Sequence, residues 1–187
     1  MQKLLSQVRK CIRDYQMLSP GDRVAVGVSG GKDSVALLRL LAGLEVPAAG
    51  QITGVSPKET AFLFQENRLL PWRTVEQHII DVLPRERREE AAKWLALAEL
   101  EGEENAYPSQ LSGGMARRLA VARCAALGGD ALQLDEPFTG VDARRAARML
   151  EGLRALGTPI LLVSHEEPVL AACDAVYAFD GPPLRKL

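Results

Sequence analysis

The stretch Ala131-Leu132-Gln133-Leu134-Asp135-Glu136-Pro137 joins a short apolar run to two adjacent carboxylates. Its length and its bounding turn residues predict a β-strand over residues 131–135. Because Asp135 ends that strand, its carboxylate is expected at the carboxyl edge of a sheet, where it can hold Mg²⁺ directly or through water. Taken alone, an Asp-Glu pair after a strand also fits a solvated helix start. Motifs elsewhere in the chain have to decide between these interpretations.

Other short apolar runs flank this stretch, and helical patterns separate them. Their order predicts an α/β fold in three layers around a mostly parallel sheet. The runs cover residues 23–28, 60–65, 159–164 and 175–180. Residues 75–105 differ, because a charged run there leads into an amphipathic helical pattern. We interpret them as an inserted helical lobe, although Glu101-Gly102-Glu103-Glu104 leaves an interdomain linker open.

Composition narrows the class of protein. The chain has 187 residues, 47% of them hydrophobic, which suits a single domain with a buried core. A net charge of −1 provides no general field for nucleic acid, so no direct nucleic-acid binding is expected. Three widely spaced cysteines indicate neither a disulfide framework nor a zinc site. Without a run of about 18 apolar residues, the chain is expected not to span a membrane and to be cytoplasmic, or a recombinant product.

A second motif, Leu111-Ser112-Gly113-Gly114, precedes a helical pattern. Free backbone N–H groups at the start of such a helix, together with the helix dipole, can hold phosphate oxygens. The glycines permit a close approach of the backbone. Asp142 starts another helical pattern and can cap it through its side chain. His165 ends an apolar strand, and Gln65 follows one.

Several other side chains are interpreted from their immediate neighbours. Trp72 and Trp94 lie among apolar residues and are predicted to be packing residues rather than nucleotide stackers. Arg117 and Arg118 are predicted to be solvated. His78, as a lone histidine, is interpreted as structural or exposed.

In their order and spacing these motifs resemble the ABC-type ATPases. The resemblance covers about residues 37–187 and implies an α/β fold of P-loop NTPase type, without the family's N-terminal antiparallel subdomain. Two residues depart from the family's pattern, namely Met115 in place of a glutamine and Gln133 in a strand that is normally apolar. The matching elements are Phe64-Gln65 with Leu69-Leu70-Pro71-Trp72, Leu111-Ser112-Gly113-Gly114-Met115, residues 131–137, Gly140-Val141-Asp142 and Ser164-His165.

The resemblance implies a role for each polar side chain near the predicted sheet edge. Asp135 would hold Mg²⁺, and Glu136 would polarise the water that attacks the γ-phosphate of ATP. His165 would contact that phosphate. Gln65 would reach the metal or the attacking water, while its loop moves with the helical lobe.

The resemblance also implies protein partners. Leu111, Ser112, Gly113 and Gly114 would complete the ATP site of the opposite subunit in a head-to-tail homodimer. Asp142 would lie at the same interface, which does not conflict with a capping role. If the chain comes from a transporter, a membrane permease would dock on the lobe.

Residues 1–36 follow a different pattern. Residues 27–34 read GVSGGKDS and do not satisfy G-x-x-x-x-G-K-[ST], because an acid follows Lys32 where a P-loop has the hydroxyl that ligates magnesium. The stretch resembles instead the S-G-G-x-D-S loop of the PP-loop family, the N-type ATP pyrophosphatases such as the tRNA-thiolating and tRNA-lysidine enzymes. That resemblance implies a helix-strand-loop unit that cradles pyrophosphate during adenylation. The predicted phosphate-binding residues are Ser29, Gly30, Gly31, Lys32, Asp33 and Ser34, with Ser34 also a predicted metal ligand.

The two resemblances together predict a hybrid, more readily engineered than natural. Residues 1–187 would form one nucleotide-binding domain with a PP-loop-like start over 1–36. The ABC-like core would comprise 37–74 and 106–187, with the lobe at 75–105. ATP and Mg²⁺ are the expected cofactors. Three functions stay open: ATP hydrolysis to ADP that Asp33 makes slow or absent, pyrophosphatase-like adenylation, and a folded module without turnover.

Overall fold

The computed structural model describes residues 26–27, 38–46, 59–178 and 185–186, of which 26–27, 177–178 and 185–186 are described as backbone alone. The predicted N-terminal helix and the phosphate loop, residues 29–34, lie outside the described residues. The structure therefore describes mainly the ABC-like part of the chain and the lobe.

Parallel strands dominate the described sheets. The strands are β1 (Val26–Gly27), β2 (Thr60–Leu63), β3 (Ala131–Asp135), β4 (Ile160–Val163), β5 (Ala175–Ala178) and β6 (Arg185–Lys186). β3 pairs in parallel with β2 on one side and with β4 on the other. β1 pairs in parallel with β5 and lies close to β4, whereas β6 is antiparallel to β5. The prediction of a mostly parallel sheet is confirmed.

Helices connect the parallel strands. The α-helices are α1 (Val75–Ile80), α2 (Ala91–Leu97), α3 (Gly113–Leu127), α4 (Ala143–Ala155) and α5 (Glu167–Ala171), with 3₁₀-helices at Arg85–Glu90 and Pro108–Gln110. Residues 38–41 are also helical. None of the helices in the described ranges is both long enough and apolar enough to cross a bilayer.

A continuous cluster of buried apolar side chains holds the strands and helices together. β4 is buried along its whole length, as expected for a parallel strand covered on both faces. Leu119 of α3 packs in this cluster with Leu132 and Leu134 of β3, and all three are at most 1% exposed. Burying each side chain of this size contributes about 1.5–3 kcal/mol. Met149 and Leu153 of α4, four residues apart, add one helix face to the same cluster.

The inserted lobe lies between β2 and β3 in sequence, and its helices α1 and α2 pack on α3. Trp94 is 3% exposed within the core cluster, which confirms its predicted packing role. Trp72 is 68% exposed, so the same prediction is wrong for Trp72. Its apolar neighbours in sequence do not cover it, because they belong to an exposed loop.

The first turn of α1 shows how the lobe is closed. Thr74 caps this helix in a capping box. The N–H groups of Val75 and Glu76 donate to the carbonyls of Ala106 and Glu104, at 2.9 and 3.0 Å. Donors that a helix start leaves free are therefore satisfied by the segment that ends the lobe. This segment folds back onto the lobe's own beginning.

His78 of α1 fixes the loop that precedes the helix. Its Nε2 accepts a hydrogen bond from the Leu70 N–H at 2.8 Å, and its Nδ1 lies 2.7 Å from the Thr74 carbonyl oxygen. Because Nε2 accepts, this geometry assigns a neutral ring with the proton on Nδ1. Burial lowers the pKa of His78, and its bond to Thr74 opposes this only in part. The structural interpretation of this histidine is confirmed by its 1% exposure.

We expect the free energy of unfolding to fall as the pH drops below about 6.5, the ordinary pKa of histidine. In that range the histidine of the unfolded chain becomes protonated while buried His78 in the folded chain stays neutral. The contribution of His78 to the free energy of unfolding is therefore fully present above this pH and is lost as the pH falls below it. One such proton gives a slope of at most about 1.4 kcal/mol per pH unit. Urea unfolding followed by tryptophan fluorescence across this pH range measures the slope.

The variant His78→Gln is expected to flatten the slope, because an amide can replace both hydrogen bonds without titrating. The control is His165→Gln, which removes the chain's other histidine. The hydrogen bond to Glu136 raises the pKa of His165, so His165 adds stability at low pH and its removal should steepen the loss. Equal slopes in wild type and His78→Gln would contradict the assignment.

Candidate functional site

The carboxyl end of β3 carries two buried acidic residues. Asp135 is 6% exposed and Glu136 is 9% exposed. The N–H of Glu136 donates to the Val163 carbonyl of β4 at 2.9 Å, which holds the residue against the neighbouring strand. Glu136 has a φ of +49°, in the left-handed region that non-glycine residues rarely adopt. Such a conformation costs of order 1–3 kcal/mol and persists where surrounding contacts hold it.

These carboxylates form a connected group with the histidine after β4. His165 Nδ1 lies 2.9 Å from Glu136 Oε1. The other carboxylate oxygen, Oε2, is buried and has no hydrogen-bond partner among the described residues. Burial raises the pKa of Asp135, and the charge of Glu136 raises it further. Two buried carboxyl groups with an unsatisfied oxygen are the setting in which a cation lowers the free energy most.

Magnesium fits this donor set. Mg²⁺ prefers carboxylate oxygens and typically takes one or two of them, with water and substrate phosphates completing its octahedron. The described residues contain no group of three or more His, Cys, Asp or Glu side chains that could hold a metal ion by themselves. A Mg²⁺ held at Asp135 would therefore draw its other ligands from phosphate, from water or from uncharged side-chain oxygens.

Gln65 lies just beyond the end of β2, which pairs with β3 through Leu63 and Leu134. Parallel pairing thus puts the loop of Gln65 at the same sheet edge as Asp135. The residue is exposed. Its carbonyl accepts a hydrogen bond from Arg117 at 3.0 Å. The structure joins Glu136 to His165 by a side-chain hydrogen bond, with Asp135 next to Glu136 in the chain. It connects Gln65 to Glu136 through Arg117, which donates to both of their carbonyls.

Arg117 and Arg118 correct a prediction, because they are 3% and 6% exposed rather than solvated. Arg117 donates to backbone carbonyls at the ends of β2 and β3. Arg118 donates to the Ala98 and Glu99 carbonyls at the end of α2. A sequence signal was present, since the apolar run of residues 119–122 is typical of a helix that is covered on every side.

The Ser112-Gly113-Gly114 motif begins α3. Ser112 caps this helix, and its Oγ accepts from the Met115 N–H at 3.2 Å. Gly113 has open space where a Cβ would stand, whereas a Cβ on Gly114 would meet the Gly140 carbonyl oxygen at 2.7 Å. Gly114 therefore lies close against a loop of the same chain, whereas the predicted approach of this backbone to phosphate stays a prediction.

Asp142 caps α4, as its position in the sequence predicts. Its Oδ1 accepts from the Arg145 N–H at 3.1 Å, and its Oδ2 pairs with the Arg145 guanidinium at 2.8 Å. These contacts hold the pKa of Asp142 below its usual range, the backbone hydrogen bond from Arg145 being the largest cause. The residue is exposed on the surface. An interface role for it stays a prediction.

The fold and this site define a class, that of nucleoside-triphosphate-binding proteins of the P-loop type. A sequence profile of the ABC transporter family matches residues 15–139 of the chain. The chain belongs to that family, whose ATPase domains bind ATP with Mg²⁺. Because this match begins at residue 15, the family resemblance reaches further toward the N-terminus than residue 37. The comparisons contain no sign of a PP-loop segment or of a hybrid chain.

Curated relatives agree with the family. The aliphatic sulfonates import ATP-binding protein SsuB 1 of Shouchella clausii is 34% identical over 169 residues, covering 88% of this chain and 68% of the relative. The SsuB protein of Cupriavidus pinatubonensis is 41% identical over 175 residues, covering 87% and 58%. The chain thus spans between 58% and 68% of the length of these two relatives.

A solved structure supports the fold. The dimeric post-hydrolysis state of the ATP-binding cassette MJ0796, bound to ADP and Pi, superposes with a TM-score of 0.72 and 24% identity. The alignment covers 86% of this chain and 82% of that one. The α/β fold of P-loop NTPase type is confirmed.

We expect Gly114→Ala to destabilise the chain by about 1–3 kcal/mol, because its methyl group would force the loop at Gly140 to move. The matched control is Gly113→Ala, one residue earlier and in open space, which should be neutral or stabilising because alanine favours helix more than glycine does. Urea denaturation of both variants tests this. Equal effects would show that the two glycines are interchangeable for folding.

Proposed function

We propose that this chain is the ATP-binding domain of an ABC importer and that it binds Mg-ATP at the carboxyl edge of the sheet. The carrying observation is the pair of buried carboxylates Asp135 and Glu136, with the exposed His165 hydrogen-bonded to Glu136 Oε1 and with Glu136 Oε2 lacking a partner among the described residues. The residues form one nucleotide-binding domain, with the helical lobe at 75–105 inserted in it. ATP hydrolysis to ADP is the reaction for which such an arrangement is suited.

Each site residue has a role in this proposal. Asp135 is the magnesium ligand, with Gln65 and Ser34 as further ligands or water contacts. Glu136 accepts the proton of the attacking water through its unpartnered oxygen. His165 donates to the γ-phosphate, and its hydrogen bond to Glu136 supports both side chains. That bond and the charge of Glu136 raise the pKa of His165, which favours a ring able to donate.

A head-to-tail homodimer completes the site. Ser112 and Gly113 are exposed at the start of α3, so their backbone can reach the phosphates of ATP bound to a second copy. Leu111 and Gly114 stabilise that turn on its side away from the partner, Gly114 through its close contact with the loop at Gly140. Asp142 lies at the same interface. The MJ0796 cassette, which has the same fold, is described as a dimer.

The membrane partner docks on the loop and lobe between β2 and α3. Leu70 and Trp72 expose 41% and 68% of their surfaces there, although both are large apolar side chains. Exposed aromatic and aliphatic side chains of this kind typically become buried when a partner binds. Because the relatives are described as acting in aliphatic sulfonate import, we extend that class of substrate to the complete importer.

The phosphate loop is the unusual part of the proposal. Asp33 follows Lys32 where the family carries a hydroxyl, so a negative charge lies near the phosphates and a metal ligand is lost. Hydrolysis is therefore slow or absent. Ser29, Gly30 and Gly31 supply backbone donors to phosphate in either family. Because residues 29–34 follow the PP-loop pattern, adenylation with AMP as product is the second candidate function. A hybrid origin of the chain would explain that pattern.

The products of incubation with Mg-ATP, resolved by ion-exchange chromatography, distinguish these functions. We expect a low rate of ADP formation and no AMP. Lys32→Ala should abolish nucleotide binding. Glu136→Gln should lower ADP formation about 100-fold or more while binding persists, because a general base contributes 10² to 10⁴ in rate.

The decisive variant is Asp33→Thr, which restores a hydroxyl and removes the charge. We expect ADP formation to rise roughly tenfold or more, equivalent to about 1.4 kcal/mol of barrier. Asp14→Thr, an acid-to-threonine change outside the sequence of residues 27–34, is the control. AMP and pyrophosphate as products would overturn the proposal in favour of adenylation. If Asp33→Thr binds nucleotide but forms no product, the result would support the third function, a folded module that binds nucleotide without turnover.

A further inference from the structure

A single buried guanidinium joins the ends of two strands at the proposed site. Arg117 is 3% exposed and donates hydrogen bonds to the Phe64 and Gln65 carbonyls, at 2.9 and 3.0 Å. It also donates to the Glu136 carbonyl, at 2.8 Å from Nη2 and 3.1 Å from Nε, and to the Asp135 carbonyl. A further bond reaches Asn67 Oδ1 at 3.1 Å.

These acceptors lie where the ladder between the strands stops. β2 and β3 pair in register up to Leu63 and Leu134. The next two carbonyls on each chain segment, at 64–65 and at 135–136, lie beyond the pairing of β2 with β3 and accept hydrogen bonds from Arg117, although Asp135 still pairs with Val163 of β4. Buried carbonyls need donors. The guanidinium, with five N–H groups in a rigid fork, supplies them to both segments at once.

Burying the Arg117 guanidinium has an electrostatic cost, which nearby acidic residues offset in part. Burial lowers the pKa of Arg117, and the charges of Asp135 and Glu136 offset that effect in part. These hydrogen bonds of Arg117 go to carbonyl and amide oxygens and not to the carboxylate oxygens of Asp135 or Glu136. The positive φ of Glu136 is held by the same fork, since its carbonyl takes two of these bonds.

We propose that Arg117 is a positioning residue that makes the Gln65 loop and the Glu136 turn move as one unit. A displacement of the Glu136 backbone then also displaces the Gln65 loop, and through it the lobe. The side chains of Glu136 and Gln65 need not touch each other for this. The consequence for turnover rests on the proposed ATPase function. The mechanical link itself does not, because it concerns backbone segments that are joined in the structure without nucleotide.

Arg118 supplies a matched control. It neighbours Arg117 on α3, is 6% exposed, and also donates to backbone carbonyls. Its acceptors, Ala98 and Glu99, belong to the lobe and not to either strand end. Replacing Arg118 therefore removes a buried arginine of the same kind while leaving the proposed unit intact.

Hydrogen exchange of the full chain, read by mass spectrometry without nucleotide, tests the link. In Arg117→Gln we expect amide exchange to rise about tenfold or more in residues 64–68 and 136–139 together, a loss of about 1.4 kcal/mol of local protection. Arg118→Gln should raise exchange near 98–100 and leave those two segments unchanged. The proposal is overturned if only one segment responds, if neither does, or if both arginine variants give the same pattern.

If Arg117→Gln does not fold, Arg117→Lys serves instead. Lysine keeps the charge but offers a compact ammonium in place of the fork, so it cannot reach both segments. We expect the same paired rise in exchange. Unchanged protection of both segments in Arg117→Lys would show that charge alone suffices and would overturn the positioning role.

Kinetics separate positioning from general stability. Where the wild type forms ADP, Arg117→Gln should lower kcat roughly 10- to 100-fold with little change in KM for ATP, because misplacement of about 1 Å costs up to 10²-fold. Guanidinium ion at millimolar concentration should restore part of kcat in Arg117→Ala but not in Arg118→Ala. A proportional loss in both arginine variants would refute positioning. A wild type that does not bind Mg-ATP would refute the proposed function and leave the exchange result to judge the link. A wild type that binds Mg-ATP but forms no ADP would agree with the proposed slow or absent hydrolysis, and the exchange result would again judge the link alone.

Discussion

The parallel pairing of β3 with a strand on each side determines where the polar groups of this protein lie. Parallel strands end at one edge, so the residues that follow β2, β3 and β4 meet there although they are far apart in sequence. Gln65, Asp135 and His165 are the polar residues at these three ends. Slipping β3 by one residue would turn Asp135 toward the opposite face and exchange it with Leu134. The apolar burial of Leu132 and Leu134 therefore also fixes the position of the carboxylate.

Hydrogen-bond accounting explains why α3 carries buried arginines. A sheet edge and the end of a helix both leave carbonyl oxygens without backbone donors. Arg117 serves the strand ends, Arg118 serves the end of α2, and Arg123 donates to the Asn67 and Arg68 carbonyls at 2.9 Å each. One helix thus satisfies three separate segments through side chains long enough to reach them. An apolar side chain in place of Arg117 or Arg118 would leave buried acceptors unpaired, at about 1–3 kcal/mol each.

The sequence was sufficient for features that depend on local pattern. The strand predicted over 131–135 has those bounds in the structure, and the capping position of Asp142 follows from the helical pattern after it. The apolar run of residues 119–122 indicates a covered helix, but it does not show what Arg117 binds, because its acceptors follow two other strands, 18 to 53 residues away in sequence. Trp72 was placed in the core because its neighbours are apolar, yet the loop that holds it runs over the surface. The periodicity of a segment shows which of its own faces is apolar. It does not show which residues of other helices and strands pack against that face.

Two kinds of contact hold the helical lobe, and they differ in what weakens them. Arg118 binds carbonyls of the lobe in a buried setting, where salt screens little. On the other side, Glu99 pairs with Arg145 and Arg148 of α4, whose side chains are about half exposed. Exposed pairs are worth about 0–1 kcal/mol and are screened by salt. We therefore expect a motion of the lobe to break its ion pairs with α4 before its buried hydrogen bonds to α3. Because α3 also binds the ends of β2 and β3 through Arg117, one helix contacts both the lobe and the site.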